Sequence, residues 1–480
     1  MTRMILNFLI ALVLIIPFAM NSQNDLDVID PLPARTVETD MEALRLMRND
    51  KLDLVLPGAM RDNSVDMWIH VTRGKDPLFM QFGKTSGYLI FTDLGNRIER
   101  AHFGGSSGAV ENIDVRGSEN VARAFAGYNY DNSDPLQGFS VPEVFDEITE
   151  FVSERDPQTI AVNYSDFLPV ADGISHTQFL KLQEILGPKY SGRIISAQGV
   201  INDFLVRRTS REVAAQVEIL AVARQRSKQA LSQIIPGHTK ARDVGARVYY
   251  SAVNTPDKTL SKSQPDVRFF FNDPDYILQR GDLFVGGADN SGTYMGFEID
   301  TKIHAYILRE GETETPKFLQ EVYDLAIAGQ KIMRPHMRVG MTGGESLAAM
   351  VKAMEAAGYI YTPFSDQGEK DYKMIQRALA NTDKPGFSID NHIMINNLIQ
   401  TGEVEADTRT EGPSMAAHRS FTHHLKIQEN HLFAFEYMVH KNIKERPGYP
   451  LAFNISNPQI ITSKGVEFIQ PPNEEIFLIK

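Results

Sequence analysis

Residues Gly281–Leu308 read GDLFVGGADNSGTYMGFEIDTKIHAYIL. Two apolar runs flank Asn290-Ser291-Gly292, and apolar runs around a short polar turn containing glycine predict a β-hairpin. Asp289 and Asp300 lie 11 residues apart across it. A hairpin carries such positions onto facing strands, where two carboxylates repel unless one is protonated or a cation lies between them. Hard divalent cations favour oxygen ligands, so the pair is a candidate metal site. The plainer alternative is two solvated acids beside a turn.

Around this stretch the chain has 480 residues, enough for two or three domains with substantial cores. Hydrophobic residues make up 42% and charged residues 23%, as in ordinary globular proteins. The net charge of −12 and the lack of a long basic run argue against nucleic acid or an anionic membrane as partner. With no cysteine, disulfides, thiolate metal sites and cysteine nucleophiles are excluded. At the N-terminus Arg3 precedes an apolar run from Ile5 to Ile16, then Pro17 and small residues between Ala19 and Ser22. The run is shorter than the ~20 residues of a membrane-spanning helix. It therefore predicts a cleaved signal peptide over residues 1–22 and a secreted or periplasmic protein, with no membrane contact after cleavage.

Strand patterns are expected at Leu52–Pro57, Met67–Val71, Pro77–Phe82, Tyr88–Thr92 and Thr159–Val162, with a helix at Met41–Asn49 and another at Val141–Ser153. Strands alternating with helices suggest an α/β layer for this first part. From Arg207 the texture changes. Ser210 is the expected N-cap of a long helix reaching Ile235, ended by Pro236-Gly237. Further helices are expected at Asp243–Val253, Lys317–Met333 and Glu345–Ala357, then irregular chain from Tyr361 to Arg409, then strands and turns from Leu432. The best domain cut falls near residue 200, giving domains 23–200 and 201–480.

Several segments, taken in order, carry a resemblance. They are Met67-Trp68-Ile69 with Arg73, Ala161-Val162-Asn163 with Ala171-Asp172-Gly173, Arg208-Thr209, Asp300-Thr301, His304-Ala305-Tyr306, Leu308-Arg309 and Gly311-Glu312-Thr313. In these the chain resembles the creatinase, prolidase and Xaa-Pro aminopeptidase superfamily, the pita-bread metallopeptidases, over most of residues 40–480. The resemblance implies an α/β (α+β) protein: an N-terminal creatinase-like α/β domain followed by a C-terminal pita-bread domain. It also implies a homodimer, a peptide or small amide substrate, and a divalent metal cofactor such as Mn, Zn or Co. In the family two metals are held by two Asp, one His and two Glu, and their shared hydroxide attacks the scissile carbonyl.

Carried over by resemblance, Asp289, Asp300 and Glu436 match three of the metal ligands, although Gly286-Gly287 lengthens the approach to Asp289 by two residues. The other two positions depart from the pattern. Arg409, in Asp407-Thr408-Arg409-Thr410-Glu411-Gly412-Pro413, falls where the ligand His belongs, and Ser456, six residues before Thr462, falls where the final Glu belongs. A guanidinium has no lone pair for a metal. Arg409 is therefore expected to act as counter-ion to the remaining acids. A shifted alignment across the insertion would instead offer His392, His418, His423 or His424 as the ligand, and His418 lies two positions from a substrate-facing His of the family. Three readings follow: a secreted homologue with an incomplete metal site, acting as a reduced or one-metal hydrolase; an inactive relative that keeps the fold as a binding or scaffold protein; or metal-free chemistry of the creatinase kind.

Overall fold

A computed structural model describes residues 37–72, 78–82, 87–104, 111–116, 142–253, 268–270, 273–286, 292–294, 297–363, 365–394 and 411–480. The expected signal segment, Arg73, Asp289 and Arg409 lie outside the described residues. The fold is mixed α/β, as the sequence predicts.

The described residues open with α1 (Val37–Asp50) and, after one π-helical turn at Lys51–Val55, α2 (Leu56–Asp62). The expected strand at Leu52–Pro57 is thus helical. Leu52, Val55 and Leu56 are buried while Asp53 and Leu54 are exposed, and that three-and-four spacing belongs to a helix face. The strand β1 (Met67–Thr72) forms as expected. Pro77–Phe82 does not form a strand: Phe79–Phe82 is a helical turn, α3, with Leu78 and Phe82 both buried, four residues apart.

Strands β2 (Gly87–Asp93), β3 (Ile98–Phe103), β4 (Asp114–Arg116), β5 (Ile160–Val162) and β6 (Ile194–Ser196) complete a sheet ordered β4-β3-β2-β1-β5-β6. Alternation along β1 sends Trp68 to one face, with Leu56, Phe82, Phe91 and Phe204, and Met67, Ile69 and Val71 to the other, with Ile148, Phe151 and Leu182. Helices α4 (Pro142–Arg155), α5 (His176–Ser191) and α6 (Gln198–Val206) supply the partners on the two faces.

The long helix α7 spans Ser210–Ser232, but its N-cap is Thr209, one residue before the expected Ser210. Thr209 Oγ1 accepts from Glu212 N at 3.2 Å and Glu212 Oε2 accepts from Thr209 N at 2.8 Å, a reciprocal capping box. The helix expected at Asp243–Val253 is absent. A short 3₁₀ turn at Ala241–Val244 ends at Gly245, whose φ of 58° a glycine adopts without steric cost, and β7 (Arg247–Tyr250) follows.

Strand β8 (Leu283–Gly286) pairs antiparallel with β11 (Ile303–Ile307), and between them β9 (Gly292–Tyr294) pairs with β10 (Phe297–Ile299). A hairpin arrangement therefore forms over Gly281–Leu308. Gly292, the last residue of the expected turn, opens β9, and Tyr294 pairs with Phe297; Asn290 and Ser291 lie outside the described residues.

Helices α8 (Lys317–Met333) and α9 (Gly343–Ala356) match the sequence pattern. The stretch after Tyr361, expected to be irregular, instead holds β12 (Ile360–Tyr361), helix α10 (Gly368–Leu379), β13 (Gly386–Ile389) and β14 (His392–Ile393). Asp371 Oδ2, inside α10, accepts from Ser365 N at 2.9 Å and Gln367 N at 2.8 Å, so the helix is capped from within.

The C-terminal strands are β15 (Leu432–Lys441), β16 (Leu451–Thr462), β17 (Gly465–Phe468) and β18 (Phe477–Ile479). One sheet runs β12-β13-β15-β16-β17 with β14 on β15, and a second runs β18-β11-β8-β7. The largest core cluster joins Tyr323 and Ala326 of α8 to Phe435 and Tyr437 of β15 and Phe453 of β16. Among the described residues no helix is long and apolar enough to cross a membrane.

Candidate ligand site: acids around a buried lysine

Three side chains project from neighbouring positions of one chain segment: Glu298 from β10, then Asp300 and Lys302 just before β11. Residues two apart on extended chain share a face. Glu436 comes from the middle of β15, and His392 from β14, which pairs with β15 two residues from Glu436. The structure thus brings together Asp300 and Glu436 around a cation that the sequence reading did not single out.

That cation is Lys302. Its Nζ lies 2.8 Å from Glu436 Oε1 and 3.1 Å from Asp300 Oδ1, and the side chain is 6% exposed. Glu436 Oε1 also accepts from Asn454 Nδ2 at 2.9 Å. Burial works against the charged lysine, but the carboxylates of Asp300 and Glu436 outweigh it and hold the ammonium above the ordinary lysine range. Burial likewise works against the Glu436 carboxylate, yet the Lys302 charge and the contact with His392 hold it well below the usual carboxylate range. Both groups therefore stay ionised at neutral pH.

Ser456 stands directly across from Glu436 in the β15–β16 register. Its Oγ is buried and has no hydrogen-bond partner among the described residues. A hydroxyl there brings no charge to the cluster. Asp289 and the Arg409 counter-ion lie outside the described residues; the counter-ion seen for Asp300 and Glu436 is Lys302.

Of the four histidines considered as alternatives, His392 joins the cluster. Its Nδ1 sits 3.0 Å from the Ile393 carbonyl and its Nε2 lies 3.6 Å from Glu436 Oε2. Burial opposes its charged form, but the carboxylates of Glu436 and Glu298 more than compensate, raising its pKa. His418 lies within electrostatic reach of Asp390. His423 contacts the Ala416 carbonyl at 2.9 Å and His424 packs edge-on against Phe167. Asp390 faces Arg419 at 3.3 Å; burial raises its pKa more than the guanidinium lowers it.

Beyond the cluster, His304 is buried among Tyr249, Tyr323 and Phe453, and burial together with the Lys302 charge pushes its pKa to about 3. It is a neutral core residue. Lys302 and Glu298 were legible in principle: Glu298, Asp300 and Lys302 alternate with Ile299 and Thr301, a period-two row of charges on one face.

A pair of divalent ions does not fit these residues. The space between Asp300 and Glu436 is taken by an ammonium with short contacts to both, and the serine opposite offers no carboxylate to bridge a second ion. One donor atom from each of Glu298, Asp300 and His392 nevertheless lies within 4.8 Å of the others, on the edge of the cluster.

No protein-family model matches the sequence, and no curated protein matches it. Solved structures do match the fold. The X-Pro aminopeptidase of Thermotoga maritima superposes with a TM-score of 0.50 at 13% identity, covering 88% of this chain and 100% of its own. A dipeptidase of Mycobacterium ulcerans gives a TM-score of 0.50 at 14% identity, covering 91% of this chain and 98% of its own. The chain has the pita-bread peptidase fold. At this identity the likeness is one of fold, and the chemistry has to be argued from the site.

Proposed function

We propose that this protein binds a peptide or small amide in the pocket of a peptidase fold without cleaving it by two-metal hydrolysis. The observation that carries the reading is Lys302, whose Nζ lies 2.8 Å from Glu436 and 3.1 Å from Asp300. A two-metal hydrolase needs cations that polarise the carbonyl and lower the pKa of a bound water. An ammonium neutralises the acids but has no empty orbital for a carbonyl or water oxygen. Nor do Lys302 and Glu436 suit general acid–base work, which is best served by a pKa near the operating pH. Lys302 is held above its ordinary range and Glu436 well below its own.

The peptide or amide ligand class rests on the fold shared with an X-Pro aminopeptidase and a dipeptidase. The apolar segment Ile5–Ile16 supports export, and the mass of the mature N-terminus from the native host tests it. The functional test is a hydrolysis assay on Xaa-Pro dipeptides with Mn²⁺, Co²⁺ or Zn²⁺, run alongside calorimetric binding of the same peptides. Binding without turnover is expected. Turnover that rises with metal loading toward two ions per chain would refute the reading.

A further inference from the structure

We infer that a cationic cavity at the end of α8 takes a small soluble phosphate monoester. This goes beyond the proposed function, because it concerns a different site. The cavity, of about 660 Å³, lies between the 3₁₀ turn Arg334–His336 that follows α8 and the turn joining β16 to β17. That size falls in the roughly 300–1,000 Å³ range of small-molecule sites. The cavity and the acid cluster occupy opposite faces of the sheet. Arg334 bonds to the Gln459 side chain, Gln459 pairs with Phe433, and Phe433 packs in the core cluster that includes α8. Ser456, three residues earlier on β16, pairs with Glu436, and residues three apart on a strand point to opposite faces.

Charge is the first observation. Lys331, Arg334, Arg338 and Lys464 line the cavity, and no acidic residue does. Among the described residues, the acids bonded to its lining are Glu474, 3.7 Å from Lys331, and Glu467, which meets Thr462 Oγ1 at 3.2 Å. Setting these two against the four cations leaves an excess of two positive charges, in a chain whose net charge is −12. A phosphate monoester carries about −1.5 to −2 at neutral pH, which matches that excess.

The second observation is Arg334, whose guanidinium is fixed in place with one nitrogen to spare. Its Nε donates to Gln459 Oε1 at 2.7 Å and its Nη2 to the Val466 carbonyl at 2.7 Å, and the group lies over Phe468, 3.9 Å from the ring centre. Nη1 has no hydrogen-bond partner among the described residues. The side chain is half-buried, and burial lowers its pKa more than the Glu474 charge raises it. An anion in the cavity supplies the charge partner that the fold does not. The planar fork of an arginine suits phosphate oxygens. Arg338 uses its Nε on the Pro335 carbonyl at 2.9 Å, which leaves both its Nη groups for a ligand. Lys464 has no carboxylate partner among the described residues. Met337, Val339 and Val466 give the cavity an apolar side for the organic part of the ester.

The test is calorimetric titration of the full chain with phenyl phosphate, in a phosphate-free buffer at near-physiological salt, where scattered surface charge is screened. One equivalent per chain is expected, together with a rise in melting temperature. Phenyl sulfate, a monoanion of similar shape, should bind more weakly. Phenyl phosphate binding should weaken as pH falls through about 6, where the dianion takes up a proton. Arg334→Gln should weaken binding about tenfold or more, and Arg338→Gln and Lys464→Gln about fivefold each. Lys317→Gln, which alters an exposed lysine of α8 outside the cavity, should leave binding unchanged. Arg334 also ties the end of α8 to β16 and β17, so Arg338→Gln and Lys464→Gln carry the test if Arg334→Gln does not fold. Absence of binding overturns the inference. So does phenyl sulfate binding as tightly as phenyl phosphate, or a loss in Lys317→Gln equal to that in Arg338→Gln and Lys464→Gln. None of these outcomes touches the proposed function, which concerns the other face of the sheet.

Discussion

Replacing Lys302 by Met keeps most of the apolar stem and removes the ammonium. Glu436 and Asp300 are then two buried carboxylates with no charge between them, 8% and 5% exposed. The lost contacts are charge-assisted, at 2.8 and 3.1 Å, each worth roughly 1.5–3 kcal/mol. Breaking a buried ion pair on one side costs about 3–5 kcal/mol. Both routes place the loss near 4 kcal/mol at pH 7.

The pH dependence follows with a definite sign. In the wild type the folded pKa of Glu436 lies below its unfolded value of about 4.3. Its contribution is present above that value and fades as pH falls through the folded pKa. In Lys302→Met, burial and the neighbouring carboxylate raise the folded pKa, so the contribution reverses and stability falls as pH rises from about 4 to neutrality. Urea denaturation of both proteins at pH 7 and pH 4.5 reads this directly. The deficit should be about 4 kcal/mol at pH 7 and no more than about half that at pH 4.5. A deficit below about 1 kcal/mol at pH 7, or one equal at both pH values, refutes the assignment of Lys302 as the counter-ion.

Other consequences are open to measurement. Ser456→Glu in the Lys302→Met background places a carboxylate opposite Glu436; metal uptake by calorimetry should rise above that of either single variant, whereas Ser456→Glu alone should leave it unchanged because Lys302 stays in place. Asp282, buried, has its pKa raised to about 6. The folded state then holds the extra proton between about pH 4 and 6, so stability falls as pH rises through that window. Asp282→Asn, whose carbonyl still accepts from Tyr276 and Gln279, should flatten that part of the stability–pH curve by up to about 3 kcal/mol. His440 is buried with its pKa pushed down to about 3, so stability drains away as pH falls below about 6.5; His440→Gln should make the loss shallower in acid denaturation. Thr209→Ala removes the α7 capping box and should cost about 1 kcal/mol by chemical denaturation.

The sequence was legible where a single periodicity ruled. Lys317–Met333 emerged with its expected ends because buried positions recur along one face from Leu319 to Met333. Met67–Thr72 was readable as a strand although every residue in it is buried, because its β-branched and aromatic residues leave no helix reading. Failures came from short segments. Leu52–Pro57 has the composition of a strand, and only the exposure of Asp53 and Leu54 separates it from one. The start of α10, Gly368-Glu369-Lys370-Asp371, looks like a loop until Asp371 is seen capping the helix it belongs to. The β7 strand was hidden because Gly245 breaks the pattern inside an apparent helix.

The site was legible in part for a related reason. A resemblance transfers positions, and so it flagged Asp300, Glu436 and Ser456. It does not flag a residue whose role lies in its contacts. Lys302 acquires its meaning from what surrounds it: an ammonium two residues after Asp300 reaches Glu436 because the start of β11 and the middle of β15 converge there. The physical requirement, that buried acids be neutralised, was readable from the chain. Which cation meets it is a question of distance, and the one that the described residues bring within reach is the ammonium of Lys302.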